Sequence, residues 1–334
     1  MPMPALQLVR PRAFAEVETP IPVLAAAGFP ALLVRTLWAS MCGSDIPKYT
    51  GNKRLQTYPL PPGAPMHECL GQVEESTSGE FVPGDIVVAV PEADRGLAQF
   101  FVARASKAVL LPPRLAARPE STLIQPLATV INGLDRLPDL TGRTIAVIGL
   151  GSIGLLFTWG LVHRGARRVV GIDPCAERCR VAERMGASQT WPVRSIELIH
   201  AVRQGAADWE APDIVVEAVG HQTDTINDCF ELVRREGTVL AFGVPDHNTY
   251  AIEYETFFRK NTHLIAAVTP DWRVYLEKAR DAFQTGYTEL APLVTHRLSI
   301  LDAGSAFGLY ERHEGGIIKA LLDASCWEAP TRAD

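Results

Sequence analysis

The stretch that most constrains this chain is TIAVIGLGSIGLLFTWGLV, residues 144–162. It carries no charge over about the length a bilayer requires, yet glycines punctuate it as Gly149-x-Gly151-x-x-Gly154. An apolar strand from Thr144 to Ile148 running into this triplet, and then into an apolar helix, predicts a strand, turn and helix built to receive a pyrophosphate. Gly149 permits the tight turn, Gly151 lets the backbone approach the phosphates, and Gly154 lets helix and strand pack closely. The anion is expected on the unpaired amides where the helix opens, at Ser152 and Ile153.

A glycine triplet alone is weak, so its context decides. GARRVVGIDP follows as a second apolar strand ending in Asp173, 19 residues beyond Gly154. An acid there accepts from a ribose 2′-hydroxyl and repels a 2′-phosphate, which favours NAD over NADP. Arg178 is a further cofactor-binding candidate; with Arg180 it is the suspected phosphate partner should Asp173 fail to exclude NADP. DIVVEAVG (213–220), TVLAFGVP (238–245) and HLIAAV (263–268) read as further strands, and TINDCFELVRREG (225–237) has a helical period. The alternation predicts an α/β, doubly wound parallel sheet of the Rossmann type over residues 125–268.

Residues 1–124 read differently. ALLVRTLWASMC, CLGQVEE and GDIVVAVPE are short runs between Gly, Pro and Asp clusters, as in a mainly β, barrel-like unit. The tail, 269–334, holds a mixed set of strands and helices, including GGIIKALLD, that is expected to complete that unit.

Composition narrows the function. The chain has 334 residues, 47% hydrophobic and 21% charged, enough for about two ordinary cores. A formal charge of -6 gives no electrostatic reason to expect nucleic acid or anionic lipid. The N-terminal MPMPALQLVRPRAFAEVETPIP has no apolar core of signal-peptide length, so a cytoplasmic location is expected, without membrane attachment. Six cysteines are too sparse for a disulfide scaffold, and reduced thiols or metal ligands are expected instead.

Three donors stand together in PMHECLG: His67, Glu68 and Cys69. If residues 67–73 form a regular strand, His67 and Cys69 share one face and Glu68 points the other way. Each residue also has an inert reading, a buried thiol or a satisfied core histidine.

With CGSD at 42–45, HE at 67–68 followed by Gly71, QPLATVINGLDRL at 125–137 and GLGSIG at 149–154, the chain resembles the medium-chain, zinc-dependent alcohol and polyol dehydrogenases over nearly its whole length. It looks most similar to the sorbitol, cyclitol and aminocyclitol branch. The resemblance implies a GroES-like catalytic domain beside the Rossmann domain. It makes Cys42, His67 and Glu68 the ligands of one catalytic zinc, with the acid directly after His67 used because the chain is only entering the strand there. Thiolate, imidazole and carboxylate suit Zn²⁺, with a fourth position open for substrate. Asp45 is then expected to orient His67 through its other ring nitrogen, Ser44 to accept the alcohol proton, and backbone at Phe242–Val244 and Ala266–Val268, including Gly243, Val244 and Val268, to hold the nicotinamide amide. The implied reaction is hydride transfer between a secondary alcohol or its ketone and NAD.

Departures from the family pattern matter. Met66 stands where Gly is usual, and Gln125 where relatives have Glu, which removes a charge near the expected zinc. Pro47 replaces a frequent relay histidine. Lys48, Tyr49, Asn52, Lys53 and Arg54 are polar candidates for contact with a hydroxyl-rich substrate. VAVPEADRGLAQFFVARAS, just after the GD turn at 84–85, holds none of the four closely spaced cysteines of the family's structural zinc lobe, so no structural zinc is expected. A zinc-free quinone or enoyl reductase of the same superfamily, and a non-catalytic NAD-binding protein, are the alternatives. A homodimer or homotetramer is expected through an exposed edge near TVLAFGVP and HLIAAV.

Overall fold

A computed structural model describes residues 2–51 and 57–327. Asn52, Lys53 and Arg54 lie outside the described residues. In chain order the strands are β1 (Pro2–Arg10), β2 (Ala13–Pro20), β3 (Ala31–Ser40), β4 (Glu68–Ser76), β5 (Ile86–Pro91), β6 (Phe100–Leu110), β7 (Thr144–Ile148), β8 (Arg168–Ile172), β9 (Gln189–Trp191), β10 (Ile214–Glu217), β11 (Thr238–Ala241), β12 (His263–Ala266), β13 (Val294–Ser299) and β14 (Lys319–Asp323). They fall into two units, Met1–Ala128 with Asp271–Asp334, and Thr129–Pro270.

In the first unit, short runs bounded by Gly and Pro mostly pair antiparallel, because each can bury one face and turn back within a few residues, and among the described residues only β13 and β14 pair parallel. The sheet order is β13-β14-β3-β4-β5-β6, and β3 also pairs with β6, so β3 to β6 close on themselves. Leu32, Val34, Val73, Val87 and Phe101 fill the interior. The C-terminal segment completes this sheet: β14 lies against β3 with Leu321 opposite Ser40, and β3 lies against β4 with Ser40 opposite Glu68. Continued by two residues, the first register brings Lys319 level with Cys42.

The second unit is a parallel sheet in the order β12-β11-β10-β7-β8-β9. Every residue of β7 is buried, the pattern of a strand covered on both faces. The order reverses between β7 and β10, and ligands of open α/β sheets bind at the carboxyl ends of the strands at such a point.

Two stretches are shorter than their sequence pattern suggests. The helix Thr225–Leu232 stops five residues before Gly237, because Val233 is extended and the Gly237 amide turns back to Arg234 O at 3.1 Å. Strand β11 ends at Ala241: the Phe242 amide makes the last ladder bond to Glu217 O at 3.1 Å, and the Gly243 amide turns back to the same oxygen at 3.1 Å instead of continuing the ladder.

Candidate active site

The three donors come from two places. Cys42 follows β3 and caps a short turn, Gly43–Asp45, while Glu68 is the first residue of β4 and His67 precedes it. Their ligand atoms lie within 4.8 Å of one another. Because β4 begins at Glu68, strict alternation does not yet hold there, and Glu68 turns to the same side as His67. Cys69 is fully buried in the apolar core, its Sγ against Gly96, where an added methyl would overlap it. Burial pushes the Cys69 thiol well above its ordinary range, which suits a packing role.

The carboxylate of Asp45, without exposed surface, reaches both His67 and Cys42. Oδ1 lies 3.2 Å from Nδ1 of His67, and Oδ2 accepts the Cys42 amide at 3.2 Å. Nε2 of His67 is thereby left for another partner. Burial lowers the His67 pKa, but Asp45 and Cys42 outweigh it and hold it well above 6.5. Ser44 is half-buried on the same turn, and Gln125 is buried in the first turn of the helix Ile124–Asp135.

Two residues at this site escaped the sequence reading. Lys319 is fully buried, and its Nζ lies 2.6 Å from Glu68 Oε2, which also accepts the Ser40 hydroxyl at 2.7 Å. Burial lowers the Lys319 pKa, but Glu68 outweighs it and leaves the ammonium more basic than usual. The only signal in the sequence was a lysine inside the otherwise apolar GGIIKALLD. Glu68 Oε1 is buried and has no hydrogen-bond partner. A buried carboxylate oxygen in that state is costly, and together with a thiol and an imidazole it fits a borderline-soft cation such as Zn²⁺.

Tyr49 is not a substrate-facing residue. It is buried, its ring 4.9 Å from that of Phe307, and its hydroxyl donates to Gly304 O at 3.3 Å. A phenol whose one donor finds a backbone partner is more stable in the core than in water. Lys48 pairs with Asp94 at 2.5 Å, and Pro47 is buried.

In the second unit, the turn Gly149–Ser152 opens the helix Ser152–His163, with Gly151 at its N-cap, Gly149 at φ +88°, and Ile153 and Gly154 in the first turn. A Cβ on Gly154 would overlap Gly149 O, so the helix approaches the strand end as closely as the pattern requires. Asp173, just after β8, accepts Leu150 N at 2.7 Å and Cys175 N at 2.8 Å. It therefore braces the glycine turn as well as standing where a ribose is expected. Arg178 Nη1 is 3.8 Å from Asp173 Oδ2. Gly243 and Val244 follow β11, and Val268 follows β12 with more than half its surface exposed. Glu217, at the end of β10, was missed by the sequence reading: its carboxylate accepts Val219 N at 2.9 Å, Gly220 N at 3.1 Å and Gly243 N at 3.0 Å, and so ties the loops after β10 and β11 together.

Comparison with known proteins agrees with this arrangement. The family described as "Alcohol dehydrogenase GroES-like domain" matches residues 30–112, and that described as "Zinc-binding dehydrogenase" matches residues 152–284. The chain is 26% identical over 282 residues to D-arabinitol dehydrogenase 1 of Uromyces fabae, covering 73% of this chain and 76% of that one. It is 25% identical over 247 residues to sorbitol dehydrogenase of Bacillus subtilis (strain 168), covering 65% and 69%. Among solved structures, alcohol dehydrogenase TADH from Thermus sp. ATN1 matches with a TM-score of 0.80 at 25% identity, over 96% of this chain and 99% of that one.

Proposed function

This chain belongs to the medium-chain, zinc-dependent alcohol and polyol dehydrogenase family, and we propose that its reaction is NAD-linked oxidation of a secondary alcohol in a polyol, cyclitol or sugar-like molecule, or the reverse reduction. It is an oxidoreductase acting on CH–OH groups, with zinc and a nicotinamide nucleotide as cofactors. The observations that carry the finer reading are that ligand atoms of Cys42, His67 and Glu68 come within 4.8 Å of one another and that Glu68 Oε1 is buried without a hydrogen-bond partner.

In this reading Cys42, His67 and Glu68 hold a single catalytic zinc, with none in a structural lobe. When bound, that metal supplies Lewis acidity toward the alcohol oxygen, and NAD supplies the hydride acceptor. Ser44 takes the proton released from the alcohol and passes it toward solvent, a path that Pro47 does not serve. Asp45 keeps Nε2 of His67 aimed at the metal. Gly149, Gly151, Ser152, Ile153 and Gly154 receive the pyrophosphate, Asp173 with Arg178 the adenosine ribose, and backbone at Gly243, Val244 and Val268 the nicotinamide amide. Gln125 brings a neutral amide, which accepts and donates hydrogen bonds without adding charge to the site.

The dimer belongs to the same proposal. Among the described residues β12 is the sheet's outer strand; Leu264 on it and Val268 just after it are 43% and 56% exposed, and Tyr254 and Phe258 on the preceding helix Tyr254–Arg259 are 67% and 64% exposed. An apolar edge of this kind suits a second copy across a twofold axis. A cytoplasmic location is a further part of the proposal. No helix among the described residues is long and apolar enough to cross a membrane.

The test is elemental analysis of protein purified without chelators, combined with NAD⁺ turnover on polyols, cyclitols and simple secondary alcohols. One zinc per chain and preference for a hydroxyl-rich substrate are expected. A chain without zinc that turns over only activated alkenes overturns the proposal.

A further inference from the structure

We infer that Lys319 and Ser40 are positioning residues that restrict Glu68 to one-oxygen contact with the metal. The inference rests on the reading of Cys42, His67 and Glu68 as a metal site.

The two oxygens of Glu68 have unlike surroundings. Oε2 accepts the Ser40 hydroxyl at 2.7 Å and faces the Lys319 ammonium at 2.6 Å. Oε1 is buried and has no hydrogen-bond partner. One oxygen is engaged by a hydroxyl and a counter-charge of the fold itself, and the other has no hydrogen-bond partner.

A carboxylate can meet a metal through one oxygen or through both. With a hydroxyl and an ammonium on Oε2, only Oε1 is available. The protein then supplies three donor atoms, and a fourth position stays open for substrate, as catalytic zinc requires. Released from Ser40 and Lys319, Oε2 could swing onto the metal and occupy that position.

The burial of Lys319 argues that it is there for Glu68. Its neighbours on β14, Ala320, Leu321 and Leu322, are fully buried apolar residues, Leu321 on the same face as Lys319, and an apolar side chain at 319 would continue the buried strand without desolvating a charge. Instead the chain buries an ammonium completely, which is tolerable only beside a counter-charge. Glu68 on β4 and Lys319 on β14 face each other across β3, whose Ser40 supplies the third member of the cluster.

Reconstitution of the full chain with Co²⁺ reads the number of metal contacts, because d–d absorption is intense at four-coordination and weak at five. Wild type should give the intense bands. Lys319→Met, which keeps length and removes the ammonium, should lose band intensity as the second oxygen joins the metal, and Ser40→Ala should lose less in the same direction. If Lys319→Met does not fold, Ser40→Ala alone decides. Wild-type bands in the folded variants overturn the inference. The metal reading fails separately, and takes this inference with it, if the wild-type chain takes up no cobalt or if Cys42→Ser leaves a thiolate-to-cobalt charge-transfer band in place.

Discussion

Asp45 Oδ1 lies 3.2 Å from His67 Nδ1, while the other oxygen of the same carboxylate accepts the Cys42 amide at 3.2 Å. One buried side chain therefore sets the orientation of two of the three candidate ligands. Asp45→Asn keeps the shape but removes the charge, and its amide nitrogen has only donors to offer. Zinc affinity, measured by chelator competition, is expected to fall roughly 10–100-fold. Unchanged affinity would show that His67 is held by something else.

His67 also sets a pH dependence. Burial lowers its pKa, yet Asp45 and Cys42 raise it well above 6.5 in the metal-free chain. A metal must displace that proton, so zinc affinity should fall as pH drops through the raised value. The stability of the metal-free fold runs the other way: the contribution of His67 is fully present below 6.5 and is lost as pH rises through the folded-state value. Parallel titrations of zinc affinity and of the midpoint of denaturation against pH check both signs.

Cys69 separates packing from ligation. Its thiol is fully buried against Gly96 in the apolar core. Cys69→Ala should cost about 1 kcal/mol of stability through the small cavity left and retain zinc and turnover. Cys42→Ala and His67→Ala should lose both while NAD still binds. Metal loss in Cys69→Ala, seen by elemental analysis, would reverse the roles of Glu68 and Cys69.

Asp173 does two jobs, since its carboxylate accepts Leu150 N and Cys175 N beside the expected ribose. Asp173→Ser should narrow the preference for NAD⁺ over NADP⁺ and, by loosening the glycine turn, weaken NAD⁺ itself, on the order of 10-fold for one lost charge-assisted bond. Fluorescence titration with both nucleotides measures the two effects. A wild-type preference for NADP⁺ would move attention to Arg178 and Arg180.

Leu264 on β12 and Phe258 on the adjoining helix Tyr254–Arg259 are exposed. If a second copy covers them, Leu264→Glu with Phe258→Asp should give a monomer mass by light scattering, where wild type gives a dimer or tetramer at micromolar concentration. A monomeric wild type would remove the idea.

What the sequence determined by itself was whatever depends on neighbours along the chain. The glycine turn after β7 and Asp173 just after β8 were legible because each is a short-range pattern with a physical signature, whereas the link of Cys42 and Asp45 to His67 and Glu68 came from the resemblance to the dehydrogenase family. Alternation left Glu68 and Cys69 in competition; the family resemblance favoured Glu68, and in the fold β4 starts at Glu68 while Cys69 is fully buried. Tyr49 read as a candidate substrate contact, because nothing local announces the rings of Phe14 and Phe307 that pack against it. The capture of Glu68 Oε2 by Ser40 and Lys319 depended on two strand registers between segments some 250 residues apart. Such pairings arise from burial summed over whole strands, so no window of sequence contains them. In the same way Glu217 read as the end of an apolar strand until the loops after β10 and β11 folded onto its carboxylate. The identity of the donors is written locally; how many of their atoms are free to act is settled only when distant strands close around them.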